Sequence, residues 1–242
     1  MQKSQKILIG AGAGVLALAV AAAVAGPIIY RDFIAPPAAD APSLSGDSSM
    51  LEPTGGPLDP AALVGEWSVA DGSEAGYRVD EVLNGTDVTV TGRTSDVSGT
   101  FTVGEDGLTL EAAELTVDVA SISTDSPQRD AYFRDSALRA SKHPTATFTL
   151  TEPVTLDAAP EEGDVAQATA TGELTIAGVT QLVTAEVQVR GSAGVDGAGA
   201  VAEIAGSIPI VFADFGVEAP SLGFVQVEPE GFVEFQLTAE QG

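Results

Sequence analysis

The segment Ser121–Leu150 reads SISTDSPQRDAYFRDSALRASKHPTATFTL, a helical pattern set between two strand patterns. Leu115-Thr-Val-Asp-Val119 leads into it and Ala146-Thr-Phe-Thr-Leu150 leads out, each alternating apolar and polar residues as a half-buried strand does. Between them Ser126 and Pro127 form a helix start, with proline at the first helical position. Ala131, Phe133 and Leu138 then give an imperfect apolar stripe, and Pro144 ends the segment and biases His143 towards an extended backbone. The segment also carries Arg129, Arg134, Arg139 and Lys142 and the single histidine of the chain. It reads as a short helical crossover capping one end of a sheet.

Outward from this insert everything in the folded region reads as strands. Trp67–Val69, Tyr77–Val82, Val88–Val90, Val97–Val103 and Leu108–Leu110 precede it, with turn signals at Asn84-Gly85 and Glu105-Asp-Gly107. Thr169–Ile176, Leu182–Val189, a long strand with Ile204, Ile208, Ile210 and Phe212 on one face, and Phe232–Thr238 follow it. Ala177-Gly178 and the loose run Gly191–Gly199 supply turns. Eight to ten short strands at regular spacing specify an all-β, antiparallel barrel or sandwich with one helical insert. Gly92, Gly172 and Gly206 fall inside strands, where they are expected to mark bends. Phe101, Phe148, Ile176 and Phe212 take the inward parity, and the small inward residues Ala146, Ala185 and Gly206 are expected to leave room for a ligand.

The N-terminal part has a different character. Met1–Lys6 is a basic leader, and Ile7–Ile29 runs 23 residues without a charge, the length a bilayer span needs. Lys3 and Lys6 place its start in the cytoplasm and the rest of the chain outside. The apolar run is longer than the core of a cleaved signal peptide, although Ala23-Val-Ala25 resembles a cleavage site. Residues 34–61 are rich in proline, serine and glycine and read as an extended, mobile linker. The expected organisation is a leader and membrane anchor in 1–33, a linker in 34–61 and a β domain in 62–242, tethered to the cell membrane by a single pass.

Charge excludes several functions. The formal net charge is −25; setting aside Lys3, Lys6, Arg31 and Asp32 leaves 7 basic residues against 34 acidic ones. Such a surface repels phosphate backbones, so no nucleic-acid partner is expected. The absence of cysteine removes disulfides, thiolate metal sites and a cysteine nucleophile, and a single histidine removes most nucleophile–base pairs. No acidic run has the spacing of a calcium loop. The expectation is a binding protein, not an enzyme, with no cofactor and no metal.

Six motifs occur in an order that resembles one family. They are Trp67, Val119-Ala-Ser-Ile-Ser-Thr-Asp125, Arg129-Asp130, Pro144-Thr-Ala-Thr-Phe148, Gly172-Glu-Leu-Thr-Ile-Ala-Gly-Val-Thr180 and Asp214-Phe-Gly216. This succession resembles the YceI-like proteins over about Val64–Thr238. The resemblance implies a lipocalin-like antiparallel barrel of about eight strands that encloses a polyisoprenoid or a similar long apolar lipid. The chain departs from the family pattern at Tyr132-Phe133, Leu138-Arg139, His143 and Phe212-Ala213, mostly within the insert. The ligand-binding candidates are Phe101, Phe133, Phe148, Ile176 and Phe212 along the lumen, with Arg134 and Arg139 beside its mouth for a head group or phosphate. The rival functions are a packed barrel acting through its outer surface, as an interaction or stress-response module, and a quinone- or isoprenoid-dependent redox partner.

Overall fold

The computed structural model describes residues 38–44, 56–83, 85–192, 199–220, 223 and 225–242. Eleven strands form one antiparallel sheet: β1 (Gly65–Val69), β2 (Glu74–Leu83), β3 (Thr86–Thr94), β4 (Val97–Val103), β5 (Thr109–Asp118), β6 (Thr145–Leu150), β7 (Val154–Thr155), β8 (Val165–Ile176), β9 (Val179–Ser192), β10 (Val201–Val211) and β11 (Val225–Gln241). The barrel nevertheless has eight positions. β1 and β2 run end to end along β11, β1 opposite residues 239–241 and β2 opposite residues 225–236. β3 and β4 continue each other in the same way, pairing with β2 and β1 respectively. The ring then passes through β5, β6, β8, β9 and β10 back to β11 and closes, leaving β7 as a short addition to β5. Closure removes the exposed sheet edges that would otherwise pair with other chains.

Alternation explains the layers. Ile204, Ile208 and Ile210 on β10 and Val233, Phe235 and Leu237 on β11 share the inner face, and the two strands stay in register from Val201↔Glu240 to Val211↔Glu230. Phe212 falls just beyond that strand, in the 3₁₀ turn Phe212–Phe215, and not on it as the alternation suggested. Pro229, which has no N–H to give a ladder, lies where the β2–β11 register shifts between Val227 and Gly231. Ala177-Gly178 turns β8 into β9 with φ of 52° and 82°, the left-handed pair of a two-residue hairpin. The ring of His143 packs on this turn: a Cβ at Gly178 would stand 2.5 Å from its Cε1, so the histidine serves packing.

The strand glycines do a different job from the bends expected of them. A Cβ on Gly92 would meet Cε1 of Tyr77 at 2.4 Å, one on Gly172 would meet Cζ of Phe148 at 2.4 Å, and one on Gly206 would meet Cζ of Phe235 at 2.5 Å. Each glycine seats an aromatic ring from the neighbouring strand. The space inside Gly206 is therefore filled by Phe235 and is not ligand space.

The insert begins with a 3₁₀ turn, Val119–Ser121, capped by the Asp118 carboxylate, which accepts the N–H of Ala120. Ser123 then bridges Arg93 on β3 through two backbone bonds of 3.0 Å. Helix α1 (Pro127–Tyr132) follows, capped by Ser126 with proline in its first turn, and passes into a π-helical turn, Phe133–Ala137. The insert covers the end of the barrel where β3 and β5 diverge. Among the described residues no helix is long and apolar enough to cross a membrane, and Ile7–Ile29 lies outside the described residues, as do Asn84 and 193–198.

Part of the segment expected to be a mobile linker is packed onto the barrel. Ala39 donates its N–H to the Thr91 hydroxyl at 3.2 Å and accepts from the Arg78 guanidinium at 2.6 Å. Leu44 donates to Gln188 at 2.8 Å, and its carbonyl accepts from Arg190. Beneath this strap Glu234, only 2% exposed, is held between Arg78, at 2.7 Å, and Arg93. Farther on, Leu58 is buried and donates its N–H to the Pro160 carbonyl at 3.0 Å. Composition concealed these contacts because two leucines among prolines and glycines make no periodic pattern.

Candidate functional site

The inner face of the barrel is not completely filled. Two cavities follow one another along the axis, of about 470 Å³ at the insert end and about 260 Å³ at the far end. Ala75, Val117, Ala146 and Val233 border both and form a waist between them. Residues of β11 from Val225 to Ala239 run along the two cavities. At about 3.4 Å per residue and a tilt near 40°, that is a lumen roughly 35 Å long.

The far half is hydrocarbon almost throughout. Trp67, Phe101, Phe148, Leu237 and Ala239 stand on its wall, and Leu58 reaches it from outside the barrel. The Trp67 indole is fixed by donating to the Leu63 carbonyl at 3.0 Å. Far-end closure thus comes from strand residues together with Leu58, Leu63, Leu108, Leu156 and Pro160 of the connecting segments.

The insert half has more varied walls. Ile176 comes from β8, Ile210 from β10, Phe212 and Phe215 from the 3₁₀ turn, and Phe133 from the insert. Phe133 stacks on Tyr77 of β2, ring centroids 4.4 Å apart and 22° from parallel. Burial pushes the Tyr77 phenol well above the ordinary tyrosine range; the Arg129 charge pulls against it, and the carboxylates of Asp130, Glu81 and Asp125 each add a lesser upward push.

The polar group of this half is one the sequence analysis passed over. Glu81 follows Tyr77 and Val79 on the inward parity of β2, and its carboxylate is buried in the cavity wall. Arg129 of α1 donates to it at 3.2 Å and to Asp125 at 2.5 Å. Burial alone would lower the Arg129 pKa, but Glu81 and Asp125 outweigh it and hold the guanidinium charged. Asp130, the next residue in the chain, does not join this pair and accepts from the hydroxyl and N–H of Thr124, at 2.7 and 2.9 Å. The signal for Glu81 was available: it is the third member of an alternation that starts with Tyr77 and Val79.

Arg134 and Arg139, the residues expected at the mouth, do not line either cavity. Arg134 pairs with Asp135 on the surface at 3.1 Å, and Arg139 sits at a left-handed backbone position with φ of 53° after the π-helical turn. The turn breaks the 3.6-residue periodicity, so spacing from Arg129 no longer predicts which side a residue takes. Among the described residues no group of three or more His, Cys, Asp or Glu side chains is placed to hold a metal ion.

Comparison with known proteins agrees with this architecture. The chain is 34% identical over 128 residues to a UPF0312 protein of Pseudomonas aeruginosa, and the match covers 52% of this chain and 63% of the relative. It is 35% identical over 101 residues to Protein YceI of Salmonella newport, covering 41% of this chain and 49% of that protein. The match thus spans 63% of the first relative's length and about half, 49%, of the second's. A solved polyisoprenoid binding domain from Saccharophagus degradans superposes with a TM-score of 0.54 at 18% identity, over 74% of this chain and 99% of that one. At that identity the superposition speaks for the fold alone. The YceI-like domain matches residues 67–239, from the tryptophan at the far end of the lumen to an alanine near the end of β11, and the chain belongs to that family.

Proposed function

We propose that the protein holds one long apolar lipid of the polyisoprenoid type in its lumen, at the outer face of the cell membrane. The observation that carries this reading is the pair of apolar cavities joined at a waist of small and medium side chains. A flexible hydrocarbon chain suits such a shape. Each methylene moved from water into it contributes about 0.8 kcal/mol, set against an association cost of roughly 4–15 kcal/mol. A chain long enough to occupy both halves therefore binds without strong polar contacts. The shared fold with a polyisoprenoid binding domain supports the ligand class. The basic leader and the apolar run Ile7–Ile29 support a membrane tether with the barrel outside the cytoplasm.

Solvent extraction of the purified full-length protein, followed by mass spectrometry, tests the ligand. A long prenyl or comparable lipid at near-stoichiometric amount is expected, and an empty extract from protein that also binds no added prenyl lipid overturns the reading. Ala146→Phe tests the path, because a ring at the waist separates the two halves. The variant is expected to keep short ligands and lose long ones; unchanged long-chain binding would show that the chain does not pass the waist. Protease accessibility of the barrel in intact cells, with alkaline washing of the membranes, tests the location: a washable or protease-protected barrel would refute it.

A further inference from the structure

The two halves of the lumen differ in charge. The far half presents almost nothing but hydrocarbon, whereas the insert half holds Glu81 and Arg129 face to face and Glu218 on the loop after the 3₁₀ turn. Among the described residues lining that half, Arg129 is the one basic side chain. Its charge is already divided between Glu81 at 3.2 Å and Asp125 at 2.5 Å. The remaining cations of the insert do not line the cavity. Among the described residues, carboxylates thus outnumber guanidinium groups in the charged half of the lumen.

We infer that the lumen selects lipids with an uncharged, hydrogen-bonding head, such as an alcohol or a carbonyl-bearing ring, and rejects phosphorylated or carboxylate lipids of the same chain. The Glu81–Arg129 pair is the discriminating element. This inference rests on the lipid-binding reading and specifies its substrate class.

The physical reason lies in what each head meets. A hydroxyl can donate to the Glu81 carboxylate, and a hydroxyl or carbonyl can accept from Arg129, whose guanidinium has five N–H donors. Such a head adds no charge and leaves the ion pair in place. A phosphate has to displace Glu81 or Asp125 from Arg129 and then stand beside them, desolvated, with no second cation to offset it. Like charges brought together in a partly buried wall repel far more than they do in water. The net effect is discrimination by repulsion, which acts against the wrong head whatever the length of the tail.

The test uses delipidated full-length protein and two probes with the same tail, geranylgeraniol and geranylgeranyl phosphate. Trp67, the single tryptophan, lines the far half and reports tail insertion through its fluorescence. The alcohol is expected to bind at least tenfold more tightly than the phosphate. Glu81→Gln is expected to narrow that ratio several-fold. Because removing one partner of a buried pair can unsettle the fold, Glu218→Gln provides a second arm that leaves the Arg129 bonds untouched; it too is expected to narrow the ratio. Equal binding of the two probes, or tighter binding of the phosphate, by wild-type protein overturns the inference while leaving lipid binding intact. An unchanged ratio in both variants overturns the assignment to this carboxylate wall. Binding of neither probe removes the lipid-binding reading and this inference with it.

Discussion

At the far end of the lumen Trp67, Leu237 and Ala239 come from β1 and β11, two strands that pair directly with each other. At the insert end strand residues such as Ile176 and Ile210 share the wall with a six-residue helix, a π-helical turn, a 3₁₀ turn and the loop carrying Glu218, and the insert is tied to β3 by the Ser123–Arg93 backbone pair and to β2 by a ring stack and an ion pair. The difference is one of cooperativity. Strand residues open only with the sheet, whereas short irregular elements with few ladder bonds open locally and at lower free energy. Under the proposed function, the far end serves as the fixed wall against which a chain is stored and the insert end as the place where it is admitted.

The contrast is broken most directly at Leu237. It is 2% exposed and belongs to the far-end cluster, so Leu237→Ala is expected to cost about 2–5 kcal/mol of unfolding free energy in denaturant titration. A cost below about 1 kcal/mol would mean that the far end is no firmer than the mouth. Phe133→Ala removes the stack on Tyr77, worth about 0.5–1.5 kcal/mol beyond the lost burial. A smaller stability loss than at Leu237 is expected, with faster lipid release as its main effect. If release is unaltered, the insert is not the gate. The smallest effect belongs to Asp106 in the turn between β4 and β5. The Thr109 hydroxyl, and then the N–H groups of Leu108 and Thr109, hold its carboxyl below the ordinary aspartate range. A lowered native pKa stabilises the fold above the ordinary carboxylate value, and that contribution disappears as pH falls through the native value. Asp106→Asn is therefore expected to lower the melting temperature slightly at neutral pH and not at all in strong acid. A difference that persists in acid would point to the turn geometry and not to the charge.

How much of this was legible varies with the kind of signal. Strands such as β8 and β9 declare themselves by period-two alternation, and their inward residues Ile176, Val183 and Val187 follow from it. The number of barrel positions was legible too, but not the way β1–β2 and β3–β4 each break one long strand in two. Ser73 secures the first break, donating to the Ala70 carbonyl at 2.7 Å and accepting from Thr238 at 3.0 Å, a link across 165 positions that no local pattern encodes. Proline at the start of α1 was readable, whereas the π-helical turn that sends Arg134 and Arg139 away from the lumen was not. Glu81 was marked by its parity with Tyr77 and Val79, whereas Glu234 was hidden by abundance: among 35 acidic residues nothing local marks the one held between Arg78 and Arg93.

The strap over the outer face has a mechanical consequence. Ala39 and Leu44 are fastened by side chains of Thr91, Arg78, Gln188 and Arg190, which stand on β3, β2 and β9. Tension arriving along the chain from its N-terminal side loads these anchors before it reaches β1. Force is thus spread sideways over three strands and resisted by several bonds in parallel, instead of peeling the first strand from β4 and β11 one bond at a time. A pull from that side is thus taken up on the outer face of the barrel, away from the residues that line the lumen.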